Sequence, residues 1–312
     1  MAAADRIMND WAHNAAELIG KAELKRLSAR SDAAGLVHLA GHIVLLMATG
    51  ALIYLSSGTL WIWPAMFEHG VALIFLFPPL HETIHRTAFL SRALNDIVAF
   101  VIGVLIVLPR EWFRAFHFAH HRFTQERDDP ELATSKPATP GEMIWHMAGL
   151  SYWVGNFRGI LRRAAGRLDE TFYATDRVKR SVVLEARIVL AIYAAALIGS
   201  IATGSTLLLW YWVMPALLGQ PMLRLYLICE HGGCPRTTDM LENTRTTYTN
   251  SAVRFLTWNG SFHAEHHAWP SIPFHALPQT NALIRDRLRR TAPGYCAALA
   301  DIWRTMRAGK AL

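Results

Sequence analysis

The chain has 312 residues, of which 52% are hydrophobic and 18% charged, with a formal net charge of +7. That length suits one large domain or two small ones, and the low charge content points to the membrane. Lys and Arg cluster between apolar segments, so the positive charge is read as a basic face against anionic lipid, and nucleic acid is excluded as a partner.

Residues 1–33 are polar, with a basic run of Lys21, Lys25, Arg26 and Arg30, and are expected to form a cytoplasmic N-terminal segment. They lack the apolar core of a secretory signal peptide. Residues 35–55 then supply a first span, since a bilayer takes roughly 20 apolar residues. A second span covers 60–80, opening on Trp61 and Trp63 as interfacial aromatics, with Pro64 suited to a first helical turn. Glu68 and His69 are expected near its outer surface. This span returns the chain directly into His81-Glu82-Thr83-Ile84-His85. Residues 93–109 are apolar but short and contain Asn95 and Asp96, which suits a shallow or re-entrant helix. Residues 143–157, with their basic flank, suit an interfacial helix. A third span is placed at 185–201 and a fourth at 206–230, with Pro215 and Pro221 as kinks. The membrane domain runs over 34–290, leaving 291–312 as a cytoplasmic C-terminal tail.

The turns after spans one and three hold no Lys or Arg, whereas the long segments between span pairs hold nearly all of them. The positive-inside rule therefore puts both termini and the long segments in the cytoplasm. Cys229, Cys234 and Cys296 form no C-x-x-C pair, which suits a reducing compartment without structural disulfides. The fold expected is all-α: an integral membrane bundle of four transmembrane helices under a cytoplasmic histidine-rich cap.

Nine of the fifteen histidines fall in four places on that one side. They are H-x-x-x-H (His81, His85), H-x-x-H-H (His117, His120, His121), the isolated His231, and a second H-x-x-H-H (His263, His266, His267). Residues at i, i+3 and i+4 share a helix face, so each box can aim its imidazoles at one point. The first box also fits the H-E-x-x-H of zinc proteases, with Glu82 as base. That reading leaves the other boxes idle, because a zinc takes three or four protein ligands. Two metal ions with four or five ligands each fit the count. Imidazole suits Zn, Cu, Fe and Ni, so ligand type alone names no metal. A metal-transport protein would want polar residues along spans three and four, where they are nearly absent.

The order of these boxes on a four-span chain resembles the membrane fatty acid desaturase and hydroxylase superfamily, over about residues 35–285. PLHETIHRTAF, FHFAHHRFTQERDDPEL and WNGSFHAEHHAWPSIPFHALP look like bacterial members, which implies an inner-membrane location. The resemblance implies two iron ions in a non-haem diiron centre on the nine histidines, and O2 as co-substrate. It also implies attack on an unactivated C–H bond of a fatty-acyl or related lipid, giving a double bond or, by the same first abstraction, an alcohol. Some desaturases begin with H-x-x-x-x-H instead, so the spacing leaves the substrate class open. The chain carries no haem, dinucleotide or iron–sulfur motif, so a separate donor of the ferredoxin, rubredoxin or cytochrome b5 type is implied, with its reductase.

Metal-bound imidazoles usually donate their other N–H to an oxygen. Glu82, Asp128, Asp129, Glu230 and Glu265 lie in or beside the boxes and are candidates. Asn259 stands four residues before His263 and could reach a metal directly or through water. His38 and His42 are expected at the membrane interface, and His13, His69, His146 and His275 as structural. Arg110, Trp112 and Arg114 could hold a polar head group or anchor the chain. Arg158, Arg162, Arg163 and Arg167 could attract an acidic electron donor or anionic lipid.

Overall fold

A computed structural model describes residues 18–168 and 175–309; His13 lies outside them. After a short α1 (Lys21–Leu27), Ser31 caps α2 (Asp32–Leu55) by accepting from Ala34 N. Then come α3 (Ile62–Ile74), α4 (Phe77–His85), α5 (Arg92–Leu105) and α6 (Arg110–Phe123). Further on are α7 (Pro140–Ala148), α8 (Leu150–Ala164), α9 (Asp176–Thr203) and α10 (Met214–His231). The last part holds α11 (Met240–Asn243), β1 (Thr246–Thr247), α12 (Ser251–Leu256), α13 (His263–Ala268), α14 (Leu277–Ile284), β2 (Thr291–Ala292) and α15 (Tyr295–Arg307). The two strands are a minimal parallel pair, Thr246 against Thr291.

Four helical stretches are long and apolar enough to cross a membrane: Asp32–Leu55, Ile62–His85, Asp176–Thr203 and Leu209–His231. At about 1.5 Å per residue, each exceeds a hydrocarbon core of about 30 Å. The protein is an integral membrane helical bundle. Spans one and three are outer helices, with only 17% and 22% of their apolar windows buried, against 61% and 44% for spans two and four. Their uncovered faces carry Val37, Val44, Met47, Ile198 and Ile201, side chains that lipid satisfies.

The inner pair meets backbone to backbone. A Cβ on Gly70 would fall 1.9 Å from Pro215 O, and one on Gly219 would fall 2.1 Å from Gly70 C. Only glycine permits that approach, the small-residue contact by which membrane helices pack without a hydrophobic driving force.

Several expected boundaries shift. Span two does not end before the first histidine box: α3 gives way to α4 at Phe75–Leu76, and His81–His85 is the last turn of the same span. Span three starts at Asp176, nine residues before Glu185, because Thr175 caps it by accepting from Val178 N. Span four opens on a wide turn over Leu209–Val213; Pro215 lies where this passes into α10 and Pro221 lies inside the α-helix. Residues 143–157 form two helices, broken at Gly149 with φ 67°. The short apolar helix expected at 93–109 is α5, and the chain turns by 101° into α6. The segment from 291 is not a loose tail: Ala298, Ile302 and Met306 of α15 pack on Ile228 and Cys229 of α10. All three cysteines are free thiols.

Two histidines expected at a surface are buried. His42 Nε2 meets Ala72 O at 2.9 Å, tying α2 to α3. His69 lies between Thr49 Oγ1 at 2.8 Å and Tyr211 O at 3.2 Å, joining spans one, two and four. Glu68 is exposed, as expected. Half-buried His38 packs against the rings of Phe255 and Phe274.

Candidate metal centre

Four helix ends converge to form the centre. His81 and His85 sit one turn apart on α4, and His117 and His121 one turn apart on α6, so each pair faces one way. His231 closes α10, and α13 supplies His263, His266 and His267. An arginine–aspartate clamp fixes the first two helices. Asp96 of α5 accepts from Arg86 at the end of α4, at 3.0 Å, and from Arg114 of α6, at 3.0 Å. Arg114 also donates to Ile84 O at 2.9 Å, and Arg110 pairs with Glu185 of α9 at 3.1 Å. Arg110 and Arg114 are thus bonded to protein partners, and the head-group role considered for them is not needed.

Eight of the nine box histidines form two groups in which one nitrogen from each ring lies within 4.8 Å of the others. The first holds His81, His85, His117, His121 and His266; the second holds His120, His231 and His267. His263 joins the second, with its Nε2 3.2 Å from His231 Nε2. In the first group, His121 Nε2 stands 2.9 Å from His117 Nε2 and 3.1 Å from His266 Nε2. In the second, His120 Nε2 stands 3.2 Å from His231 Nε2. The groups adjoin through His121 and His267, whose rings stack with centres 4.1 Å apart.

These rings suit cations. Burial first, then the neighbouring imidazoles, hold His117, His121, His263, His266 and His267 well below the usual imidazole pKa. They are neutral, the form that binds a metal. The Nε2 atoms of His81, His85 and His267 are buried with no hydrogen-bond partner among the described residues. A buried polar atom without a partner is costly, and a metal ion in each group would satisfy all three. His120 differs: burial opposes its protonation, but Glu131 and Asp129 outweigh burial and raise its pKa.

In the second group every Nδ1 faces an oxygen. Asp129 Oδ1 accepts from His120 at 2.9 Å, and Thr124 Oγ1 from His267 at 3.1 Å. His231 Nδ1 donates to Asn243 O at 3.3 Å, and His263 Nδ1 lies 3.5 Å from Glu230 Oε1. Asp129 thus lies beside His120, and Glu230 beside His263.

The other candidates have different surroundings. Asp128 is exposed. Glu82 Oε1 accepts from Phe274 N at 3.1 Å, which braces the chain after α13 and uses the carboxylate that a protease would need as base. Glu265 accepts from Thr246 Oγ1 and Asn281 Nδ2, anchoring α13 to β1 and α14. Asn259 is turned to Arg254 at 3.0 Å and to Phe274 O at 3.0 Å, not to a ring.

Three participants escaped the sequence reading. Glu131 Oε1 lies 3.9 Å from His120 Nε2, and Oε2 lies 3.6 Å from Lys136. Burial opposes its ionisation, yet His120 and Lys136 hold its carboxyl down at about 2. Thr124 and Asn243 interlock, Asn243 Nδ2 donating to Thr124 O at 3.2 Å and to Thr237 O at 2.8 Å. Glu131 had a sequence signal, two residues past Asp129 in the same acidic run. Thr124 and Asn243 had none, since the contacts that join them to each other and Thr124 to His267 span more than a hundred residues.

Comparison with known proteins agrees with this geometry. Residues 59–298 match the family model described as fatty acid desaturase. A relative from Bradyrhizobium elkanii, dihydrorhizobitoxine desaturase, is 21% identical over 263 residues, covering 78% of this chain and 72% of its own. The family match takes in every box histidine and all four helix ends that carry them, and the chain belongs to the fatty acid desaturase family.

Proposed function

We propose that the protein is an O2-dependent membrane oxidase that uses two non-haem irons to remove hydrogen from an unactivated C–H bond of a fatty-acyl or related lipid chain, introducing a double bond. The observation that carries this reading is the pair of adjoining groups of imidazoles, most of them held neutral by burial. His81, His85, His117, His121 and His266 would hold one iron, and His120, His231, His263 and His267 the other. When bound, the two irons supply dioxygen activation and hydrogen removal.

The chain's own residues supply the rest. Asp129, Thr124, Glu230 and the Asn243 carbonyl keep the proton on Nδ1 and so point Nε2 inward. Phe77, Leu108, Phe113 and Leu227 line a cavity of about 1100 Å³ that also touches His81, His117, His120 and His263. Such walls admit an alkyl chain and keep water from the reacting carbon. Electrons come from a separate ferredoxin-, rubredoxin- or cytochrome b5-type donor, with its reductase, in a bacterial cytoplasm that the histidine side faces. The relative's name, a desaturase, favours double-bond formation over hydroxylation.

Metal analysis of the purified protein and comparison of lipids from expressing and non-expressing cells test this. A pair of irons per chain and a new alkene are expected. A new alcohol in place of the alkene moves the protein to hydroxylation. A single zinc with unchanged lipids overturns the reading.

A further inference from the structure

The cavity touches His81, His117, His120 and His263 but not His231 or His267. His231 is approached from another face. Its Nδ1 donates to Asn243 O at 3.3 Å, and Asn243 ends α11. The run Arg285–Arg290 lies against this helix. Arg289 N donates to Leu241 O at 3.0 Å, and Thr246 N donates to Arg290 O at 3.0 Å. The Arg290 guanidinium donates to Gly233 O at 2.7 Å. Only Glu242 separates Leu241 from Asn243, so two hydrogen bonds and a short piece of main chain join the run to a metal-binding ring. Neither α11 nor the run borders the cavity.

The run is basic and open. It holds four arginines against the single Asp286. Arg285, Arg287 and Arg289 are exposed, and Arg285 and Arg287 make no ion pair among the described residues. Arg289 faces Asp239 at 3.9 Å, a solvated pair of little worth. Lys21 and Lys25 of α1 are exposed nearby, since Leu27 of that helix shares a cluster with Leu241 and Ile284. Against these cations stand Asp239, Glu242 and Asp286, so the patch is net positive. Leu283, just before the run, is 53% exposed and adds an apolar spot. An apolar spot ringed by charge suits a small, transient protein interface. The arginines of α8, considered for the same role, are placed less well. Arg163 is buried over the Trp112 ring, and Leu150, Val154, Phe157 and Leu161 make an exposed apolar stripe that suits lipid.

Forming a double bond takes two electrons and two protons from the alkyl chain. O2 needs four of each to leave as two waters, so the other two electrons come from a donor and the other two protons from solvent. A one-electron carrier is therefore oxidised twice per turnover. We propose that the Arg285–Arg289 surface docks a small acidic electron-carrier protein, and that electrons enter the second histidine group through Leu241–Asn243 and His231. The inference rests on the oxidase reading for the use of the electrons but not for the docking.

The test uses an acidic [2Fe–2S] ferredoxin and the iron-loaded protein in phosphatidylcholine nanodiscs. Binding of the ferredoxin is measured, and so is anaerobic oxidation of its reduced form, followed by its visible absorbance. Salt should weaken both, because it screens a steered encounter. Arg285→Glu/Arg287→Glu/Arg289→Glu should weaken both about tenfold or more at low salt. Arg158→Glu/Arg162→Glu should leave both unchanged, and dithionite, which needs no docking face, should reduce all three proteins equally fast. Unchanged binding in the triple variant overturns the proposal, as does an equal loss in the α8 variant. If the triple variant reacts slowly with dithionite, its centre is damaged, and Arg285→Gln/Arg287→Gln takes its place with a loss still required. If phosphatidylglycerol in the discs abolishes ferredoxin binding, the arginines serve lipid and the proposal falls. Binding without electron transfer, in protein that dithionite does reduce, overturns the route through His231. Docking and electron transfer without alkene or alcohol formation refute the oxidase reading and leave the docking face standing.

Discussion

The two histidine groups are built differently. The first is set by helix register: four of its five rings come as one-turn pairs on α4 and α6, and the Nδ1 atoms of His121 and His266 are buried with no partner among the described residues. The second is set by tertiary contacts: its rings come from α6, α10 and α13, and each Nδ1 faces an oxygen. Ring orientation in the first group thus depends on packing, and in the second on hydrogen bonds. An ion in the second group should therefore be sensitive to residues that never touch it, while one in the first should be sensitive only to its ligands and to the spacing of the helices.

The strongest challenge to this contrast is His120→Ala. His120 stands 3.2 Å from His231 Nε2 and takes its orientation from Asp129. Its loss should abolish product, lower iron content by about half, and leave the protein in the membrane. Product and metal per chain are the measurements, and an active variant would contradict the ligand assignment. Next comes Asp129→Asn, which keeps size but removes the carboxylate. Metal affinity at the second group should fall about 10–100-fold, the usual effect of losing such a partner. Metal titration of the variant should show one weakened and one unchanged site. Two equally weakened sites would mean that the groups are not separately held.

The contrast also marks what could be read from the sequence. Four spans, nine imidazoles and the one-turn pairs His81–His85 and His117–His121 follow from hydropathy and from i, i+4 spacing, both local properties, but the expected single aim of each H-x-x-H-H box does not hold: His120 parts from His117 and His121, and His266 parts from His263 and His267. Asp129 was legible because it lies close to His120 in the chain. Asn259 and Glu265 also lie near His263 in the chain, but their side chains turn to Arg254 and Phe274, and to Thr246 and Asn281. His42 and His69 look interfacial by position, yet close packing of the spans buries them.

A third perturbation acts on the spacing between the groups. Gly219→Ala drives a methyl into the backbone of Gly70, on the span that carries His81 and His85, from the helix that carries His231. Overpacking of this kind costs about 1–3 kcal/mol. A lowered unfolding temperature should come with reduced activity but with little change in metal affinity at either group. Full activity would show that the contact does not set the distance between them.

The smallest effect is expected from Thr124→Val, which removes one hydroxyl. The Thr124 hydroxyl donates to His120 O at 2.7 Å, which leaves its lone pair to accept from His267 Nδ1 at 3.1 Å. Valine keeps the shape and leaves the Thr124 carbonyl free to hold Asn243, so α6 and α11 stay joined. The acceptor facing His267 disappears together with the donor to His120 O. A net hydrogen bond is worth about 1 kcal/mol, so second-group metal affinity should fall roughly fivefold. Thr124→Ser should restore it, since serine returns the hydroxyl. The ring of His267 also stacks on His121 of the first group. If first-group affinity falls along with the second, stacking transmits the orientation of one group to the other, and the division between a packed group and a hydrogen-bonded group gives way to a single coupled centre.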